Sequence, residues 1–397
     1  MAIEYNPYDR KLAMDPYPLY ARLRDEAPVF HNPEMRFWAL TRYDDVVAAH
    51  GDIETFSSAG GVTIEGHEAS QPLLIVQDQP DHIWAKGLVI RLFRRQRIEE
   101  LAVFVRRRAV ELLEQAAEEA GDNEFDFVSK FAVQLPLEVI SELLGIPEEY
   151  REEIHVHSTA TALRGDDRNP EDARRAHLRL IEIYLTLVRE RRANPGEDVI
   201  SQLLAGEVED EAGVKHRLSD HEVAIRFLEM GLAGHETVAK AIPNGAMALQ
   251  RFPDQHRLLR ENRALLPKAS DEMLRYDPPS QLQGRTTTRE VELHGVKIPK
   301  GEKVMLVTGS ATRDPRAFEN PDIFDVERDL DHKSVFFGFG IHKCLGQHLA
   351  RQEITIAFDE LFSRFPDFEV DPDRVQRVVL SNVRGVVGLP IRLGRHA

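Results

Sequence analysis

The chain has 397 residues, 42% of them hydrophobic and 30% charged, the balance of a globular protein that folds in water. Its net charge of −16 argues against nucleic acid as the main partner. No stretch is apolar for long enough to span a bilayer and residues 1–9 hold no apolar run, so the expectation is a cytoplasmic protein without signal peptide or membrane anchor. No internal repeat or long low-complexity tract divides it, and a single domain over 1–397 is expected.

In chain order, Tyr17 to Leu23 reads as a short helix after Pro16. Phe37 to Thr41 reads as a strand, and Tyr43 to Ala49 as the next helix. The pattern breaks between Gly60 and Pro80, where Gly60, Gly61 and Gly66 stand among scattered apolar residues, Leu74 among them; a loop is expected there. Asp81 opens a helix towards Phe93, with His82 and Lys86 four apart on one face. Arg91, Arg94, Arg95 and Arg97 follow. On so acidic a chain they are either a solvated face or a docking patch for an acidic partner. Residues 100–215 are helical almost throughout, with breaks at Gly145-Ile146-Pro147 and Asn194-Pro195-Gly196.

Ser219 with Glu222 three residues on is a capping box. The helical pattern that follows runs to about Gln250, long enough to cross the whole molecule. Its middle reads Gly231-Leu232-Ala233-Gly234-His235-Glu236-Thr237. Each mid-helix glycine costs about 1 kcal/mol against alanine, so something must approach closely there, either another helix or a ligand. Pro243 is expected to bend the helix. Glu272 and Arg275, three apart, can pair on one helix face before Asp277-Pro278-Pro279 ends it. Thr286 to Thr288 and Val291 to Leu293 read as strands of a small sheet, with turns at Gly295 and Gly301.

The stretch Phe337-Gly338-Phe339-Gly340-Ile341-His342-Lys343-Cys344-Leu345-Gly346 holds the only cysteine, so neither an internal disulfide nor a multi-thiolate cage can form. A helical pattern from Leu345 to Phe362 follows, which places Cys344 at a helix start, where a thiolate is favoured. A nucleophile paired with His342 is a poor alternative, because side chains two apart do not face each other on a helix.

The motif FGxGxHxCxG resembles the haem-binding signature of the cytochrome P450 monooxygenases of the soluble bacterial type. Ala233-Gly234-His235-Glu236-Thr237 is similar to that family's oxygen-activation motif, and Glu272-Met273-Leu274-Arg275 to its ExxR motif. The resemblance implies a mainly α fold with a smaller β region. Haem b would lie between the long distal helix and the helix that follows the cysteine loop. It implies Cys344 as the axial iron ligand, with Phe337, Gly338, His342 and Gly346 around it and Ala233 and Gly234 on the distal side. His342, Arg285, His82 and Lys86 would meet the propionates, Lys86 standing where the family has arginine. Glu236 and Thr237 would be the acid and alcohol that deliver protons. Arg328 would join Glu272 and Arg275 in a buried triad that locks the cysteine loop, and Arg91, Arg94 and Arg95 would dock the electron donor.

The substrate pocket implied is Leu74, Leu228, Leu232, Ala233, Gln281, Leu282, Gln283 and Val383, walled by residues 60–75, 159–175 and 381–383. The function implied is insertion of one oxygen atom of O2 into a hydrophobic small molecule, by hydroxylation or epoxidation. Ferredoxin and its reductase would supply electrons, and the protein would be a monomer. Two rivals are a peroxide-dependent peroxygenase, against which Glu236-Thr237 speaks, and a non-catalytic haem-thiolate sensor, which needs no proton relay.

Overall fold

The computed structural model describes residues 3–66, 72–121, 124–210, 212–330 and 332–394. In it the capping box at Ser219 is complete. The Glu222 N–H donates to Ser219 Oγ at 3.2 Å, and the Ser219 N–H donates to Glu222 Oε2 at 2.8 Å. The helix so capped is Asp220–Arg251, 32 residues, with Pro243 inside it. At 1.5 Å per residue it is roughly 48 Å long. It is buried over most of its length rather than along one stripe, because the helices Gln134–Leu144, Pro170–Ala193, Leu266–Tyr276 and Gln347–Arg364 all pack on it.

Its glycines serve that packing. A Cβ on Gly234 would lie 2.6 Å from Ile140 Cγ1, and one on Gly231 would collide with the Tyr184 hydroxyl. Of the two expected causes of the mid-helix glycines, close approach by neighbouring helices is the one seen. The main core lies around this helix and includes Phe131, Phe227, Leu249, Phe358 and Phe362.

The smaller β region holds a five-stranded sheet in the order Val29–Asn32, Phe37–Leu40, Lys303–Leu306, Gln283–Thr287, Phe56–Ser57. Lys303–Leu306 runs parallel to Phe37–Leu40, Val304 opposite Trp38, and antiparallel to Gln283–Thr287, Val304 opposite Arg285. Gly295, at φ 76°, turns the chain between Val291–Leu293 and Val296–Ile298, a conformation that suits glycine.

Several boundaries differ from the sequence reading. The helix from Asp81 ends at Val89, and a 3-10 turn at Ile90–Phe93 and an extended Arg94 separate it from Arg95–Ala120. The helix after the cysteine is Gln347–Arg364 with Gly346 as its cap, so Cys344 lies in the loop before the helix, not at its first turn. Among the described residues no helix is long and apolar enough to cross a membrane.

Candidate active site

Cys344 sits in a loop shaped by its own backbone. Its N–H donates to the Phe337 carbonyl at 2.9 Å, closing a turn-back over residues 337–344, and the Gly338 N–H donates to Val335 O at 2.8 Å. Gly338 and Gly340 have φ of 72° and 68°, the left-handed region that other residues rarely adopt. A Cβ on Gly340 would also meet the His50 carbonyl at 2.8 Å. The thiol is accessible, yet the protein packed around it raises its pKa through desolvation, against the opposing pull of the Gly346 N–H, Arg351 and Lys86. A side chain both accessible and desolvated faces an internal opening, not the outer surface. A coordinating cation would pull the other way and favour the thiolate.

The long helix shows a matching gap. Its middle is buried except where Ala233 is exposed and Leu232, Gly234 and Thr237 are half-exposed. The Thr237 hydroxyl donates to the Ala233 carbonyl at 3.1 Å. Glu236 points elsewhere. It is buried and accepts from Thr159 Oγ1 at 3.0 Å, with Lys240 Nζ 3.7 Å from its other oxygen. Burial opposes its ionisation, but Lys240, His235 and His155 outweigh that and hold the carboxyl below its ordinary value.

A basic cluster lies beside the cysteine loop. The His82 and His342 rings are 4.4 Å apart between centroids, and Arg285 Nη2 is 3.2 Å from His50 Nδ1. Burial first, and the neighbouring cations second, push His50 down to about 3, His82 to about 4 and His342 to about 3. Burial lowers Arg285 to about 10. Among the described residues no carboxylate forms an ion pair with His50, His82, Lys86, Arg285 or His342, and the buried Nε2 atoms of His50 and His342 lack partners. Arg285 carries positive charge among neutral imidazoles whose nitrogens can donate, and such a cluster with no ion-paired carboxylate makes a seat for an anionic group.

Two members of the cluster depart from the sequence reading. Lys86 Nζ donates to the Ile341 carbonyl, so it holds the cysteine loop by its backbone. His50, at the last turn of Tyr43–Gly51, is a site residue that sequence reasoning missed. No motif marks it, and only the fold of the N-terminal helix against Gly338 and Gly340 brings it in.

The buried triad is present. Arg275 donates to both Glu272 oxygens at 2.6 and 2.8 Å, and Arg328 Nε adds a bond to Oε1 at 3.2 Å. The two arginines also donate to the carbonyls of Thr312, Glu319, Asn320, Pro321 and Ile323. The triad thus locks residues 312–328, the segment before the cysteine loop, and does not bond the cysteine loop itself.

The expected pocket walls are partly brought together. Glu229, next to Leu228 and three residues before Leu232, accepts the Leu74 and Ile75 N–H groups at 2.8 Å each, which seats Leu74 on the long helix. Gln281 N–H donates to Asn382 O at 2.8 Å and Ser280 pairs with Val383, joining the 280–283 and 381–383 walls. Ser381 N–H donates to Ala162 O at 3.0 Å, adding the 159–175 wall as a lid. Residues 67–71 of the first wall lie outside the described residues.

Two pocket residues turn away. Leu282, on the opposite face of its strand from Gln283, packs into a separate core with Tyr5, Tyr20, Phe37 and Met305. Gln281 is buried against Gly309 and donates to Pro278 O at 2.7 Å; Gln283 donates to Ser280 Oγ at 2.8 Å. Arg91, Arg94 and Arg95 are exposed, Arg95 paired with Glu99 at 2.7 Å, whereas Arg97 turns in to the Leu143 carbonyl.

A long buried helix with a gap at its middle, together with a glycine-shaped cysteine loop and a seat for anions beside that loop, fits a haem-dependent monooxygenase, and comparison with known proteins agrees. The Cytochrome P450 family model matches residues 166–394. Putative cytochrome P450 123 of Mycobacterium tuberculosis is 38% identical over 393 residues, 97% of this chain and 96% of that protein. Vitamin D(3) 25-hydroxylase of Pseudonocardia autotrophica is 37% identical over 96% of this chain and 94% of that protein. Among solved structures, a mutant of P450 EryK in complex with erythromycin B aligns with a TM-score of 0.87 at 30% identity, covering 99% of this chain and 98% of that one.

The chain belongs to the cytochrome P450 family. It is a monooxygenase that acts on small molecules and binds haem b. The residues present fit that group: the unpartnered His50 and His342 nitrogens and the Arg285 guanidinium can meet two propionates, and the openings at Cys344 and Ala233 match its two faces.

Proposed function

We propose that the protein hydroxylates or epoxidises a hydrophobic small molecule of at least terpenoid size, as a monomeric single domain in the cytoplasm, with a ferredoxin-type protein as electron donor. The observation that carries this reading is the gap in the long helix at Leu232, Ala233 and Thr237, walled by Leu228 and by Leu74 on its Glu229 latch. The walls offer apolar surface with few polar groups, which favours burial of an apolar ligand. Relatives named as a vitamin D(3) 25-hydroxylase and a 6-deoxyerythronolide B hydroxylase support a substrate of that bulk.

Haem b supplies the activation of O2 and the oxidation of a C–H or C=C bond. Cys344 would hold its iron, and a thiolate there would supply electron density to the metal. Phe337, Gly338 and Gly346 shape the loop that presents the sulfur. Arg285, His82, His342 and His50 hold the propionates, with Lys86 steadying the loop from behind. Ala233 lets the distal face approach closely. Thr237 holds a proton at its hydroxyl, and Glu236 passes protons inward. Arg91, Arg94 and Arg95 meet the acidic donor.

A panel of steroids, terpenoids, fatty acids and macrolides, scored by the spin-state shift of the haem spectrum, tests the substrate class. Turnover with a ferredoxin system against peroxide alone tests the donor. Binding confined to small polar ligands would overturn the first, and equal turnover on peroxide alone the second.

A further inference from the structure

Behind the gap in the long helix lies a cluster the proposed reaction does not fully use. His155 comes from the helix Glu148–Ala162, and His235 and Glu236 from the long helix. His155 Nδ1 is 3.4 Å from His235 Nε2, and His235 Nε2 is 3.6 Å from Glu236 Oε1. One donor atom from each of the three lies within 4.8 Å of the others, and this is the one group of three such side chains among the described residues.

These separations are long for hydrogen bonds, which hold such atoms at about 2.7–3.2 Å. The 3.4 and 3.6 Å separations come close to those of a coordination shell, with the third pair within 4.8 Å. Around zinc, with donors about 2.0–2.1 Å from the metal, adjacent corners of a tetrahedron lie roughly 3.3–3.4 Å apart. The tautomer also fits. His235 Nδ1 is 2.7 Å from the Gly231 carbonyl and must be the protonated nitrogen there, so Nε2 carries its lone pair towards His155 and Glu236. A ligating histidine whose other nitrogen donates to a backbone carbonyl is the usual outer-shell arrangement. Without a cation, the His155 Nδ1–H can reach that lone pair only across a long 3.4 Å, and the Glu236 oxygen at 3.6 Å offers it no proton. Lys240 meets Glu236 through the other oxygen, Oε2, at 3.7 Å, and the Thr159 hydroxyl takes only one lone pair of Oε1. His155 is half-buried, which leaves an entry for the ion and for a water as fourth ligand.

We propose that His155, His235 and Glu236 bind a divalent transition-metal cation of the zinc type, which bolts the helix Glu148–Ala162 to the long helix. The far end of that first helix is tied to the 379–381 wall, where Leu163 pairs with Leu380, so the bolt also holds the lid of the substrate pocket. The ion occupies Glu236 while it is bound, and turnover falls reversibly.

The test is equilibrium dialysis of the haem-loaded protein against zinc chloride, with a chelator-stripped sample as the start. One tightly held equivalent is expected. His155→Ala should weaken its binding at least about tenfold, while His221→Ala, on the same long helix but outside the cluster, should leave it unchanged. His155→Ala removes a half-buried side chain, and its haem content and carbon monoxide spectrum check that the fold survives. Anomalous scattering at the zinc edge from soaked crystals is the second measurement, with a peak expected between His155 and His235. No bound equivalent, or an equivalent that His155→Ala retains in full, would overturn the site. Binding does not depend on what Glu236 does in catalysis. Zinc that binds at one equivalent without lowering turnover upholds the site and sinks the relay role of Glu236 instead.

Discussion

Arg275 grips Glu272 with two parallel hydrogen bonds of 2.6 and 2.8 Å, and neither side chain has any exposed surface. The pair is three residues apart on one helix, so it forms with little chain ordering. Its reach is longer than that. The remaining guanidinium hydrogens and those of Arg328 satisfy carbonyls from Thr312 to Ile323, and the Asp325 N–H donates to Glu272 at 2.9 Å. A segment with almost no regular structure is thereby given a fixed path.

Removing one partner leaves the other charge buried and uncompensated. Glu272→Ala is expected to cost about 3–5 kcal/mol. Thermal unfolding and haem content should both fall steeply. A variant with the parent's melting temperature and full haem occupancy would show the triad to be dispensable.

Ligation by Cys344 predicts the red-shifted Soret band of a thiolate-bound haem in the ferrous carbon monoxide adduct. Cys344→His should move the band to the position of a histidine-bound haem. An unchanged band in that variant would assign the ligand elsewhere.

The exposed Arg91, Arg94 and Arg95 predict a rate effect rather than a binding effect. Reversing all three to glutamate should slow reduction by a ferredoxin-type donor and flatten its dependence on ionic strength. Substrate-induced spectral shifts should not change. Stopped-flow reduction at low salt decides it, and equal rates in variant and parent would reduce the cluster to a solvated face.

Thr237 rests its hydroxyl on the Ala233 carbonyl, as mid-helix threonines often do. If that is its whole role, Thr237→Ala changes little. If the hydroxyl delivers a proton, its loss should cost product, since positioned acid catalysis contributes roughly 10²–10⁴-fold. The variant is expected to bind substrate and consume reductant and oxygen while releasing more hydrogen peroxide. The readout is product formed per reductant consumed, and a ratio equal to the parent's would refute the proton-delivery role.

The sequence alone determined the elements whose signals are local. Ser219 and Glu222 sit three apart and cap a helix wherever it packs, so the start of the long helix was legible to the residue. Gly338 and Gly340 marked a backbone free to pass close to a neighbour, the left-handed turns themselves being set by the fold, and Glu272 and Arg275 share a face of any helix. The tertiary structure decided what depends on partners distant in the chain. His50 joins Arg285 across 235 positions, with no spacing for a sequence reading to detect. Lys86 turns to the Ile341 carbonyl, and Leu282 turns to a core built by Tyr5 and Tyr20, because burial and backbone acceptors are supplied by segments far along the chain. Glycines 231 and 234 announce a close approach in the sequence, but only the packed helices show that Tyr184 and Ile140 are what approaches. Local geometry is written in neighbouring residues, whereas the direction of a side chain is set by whatever the fold brings opposite it.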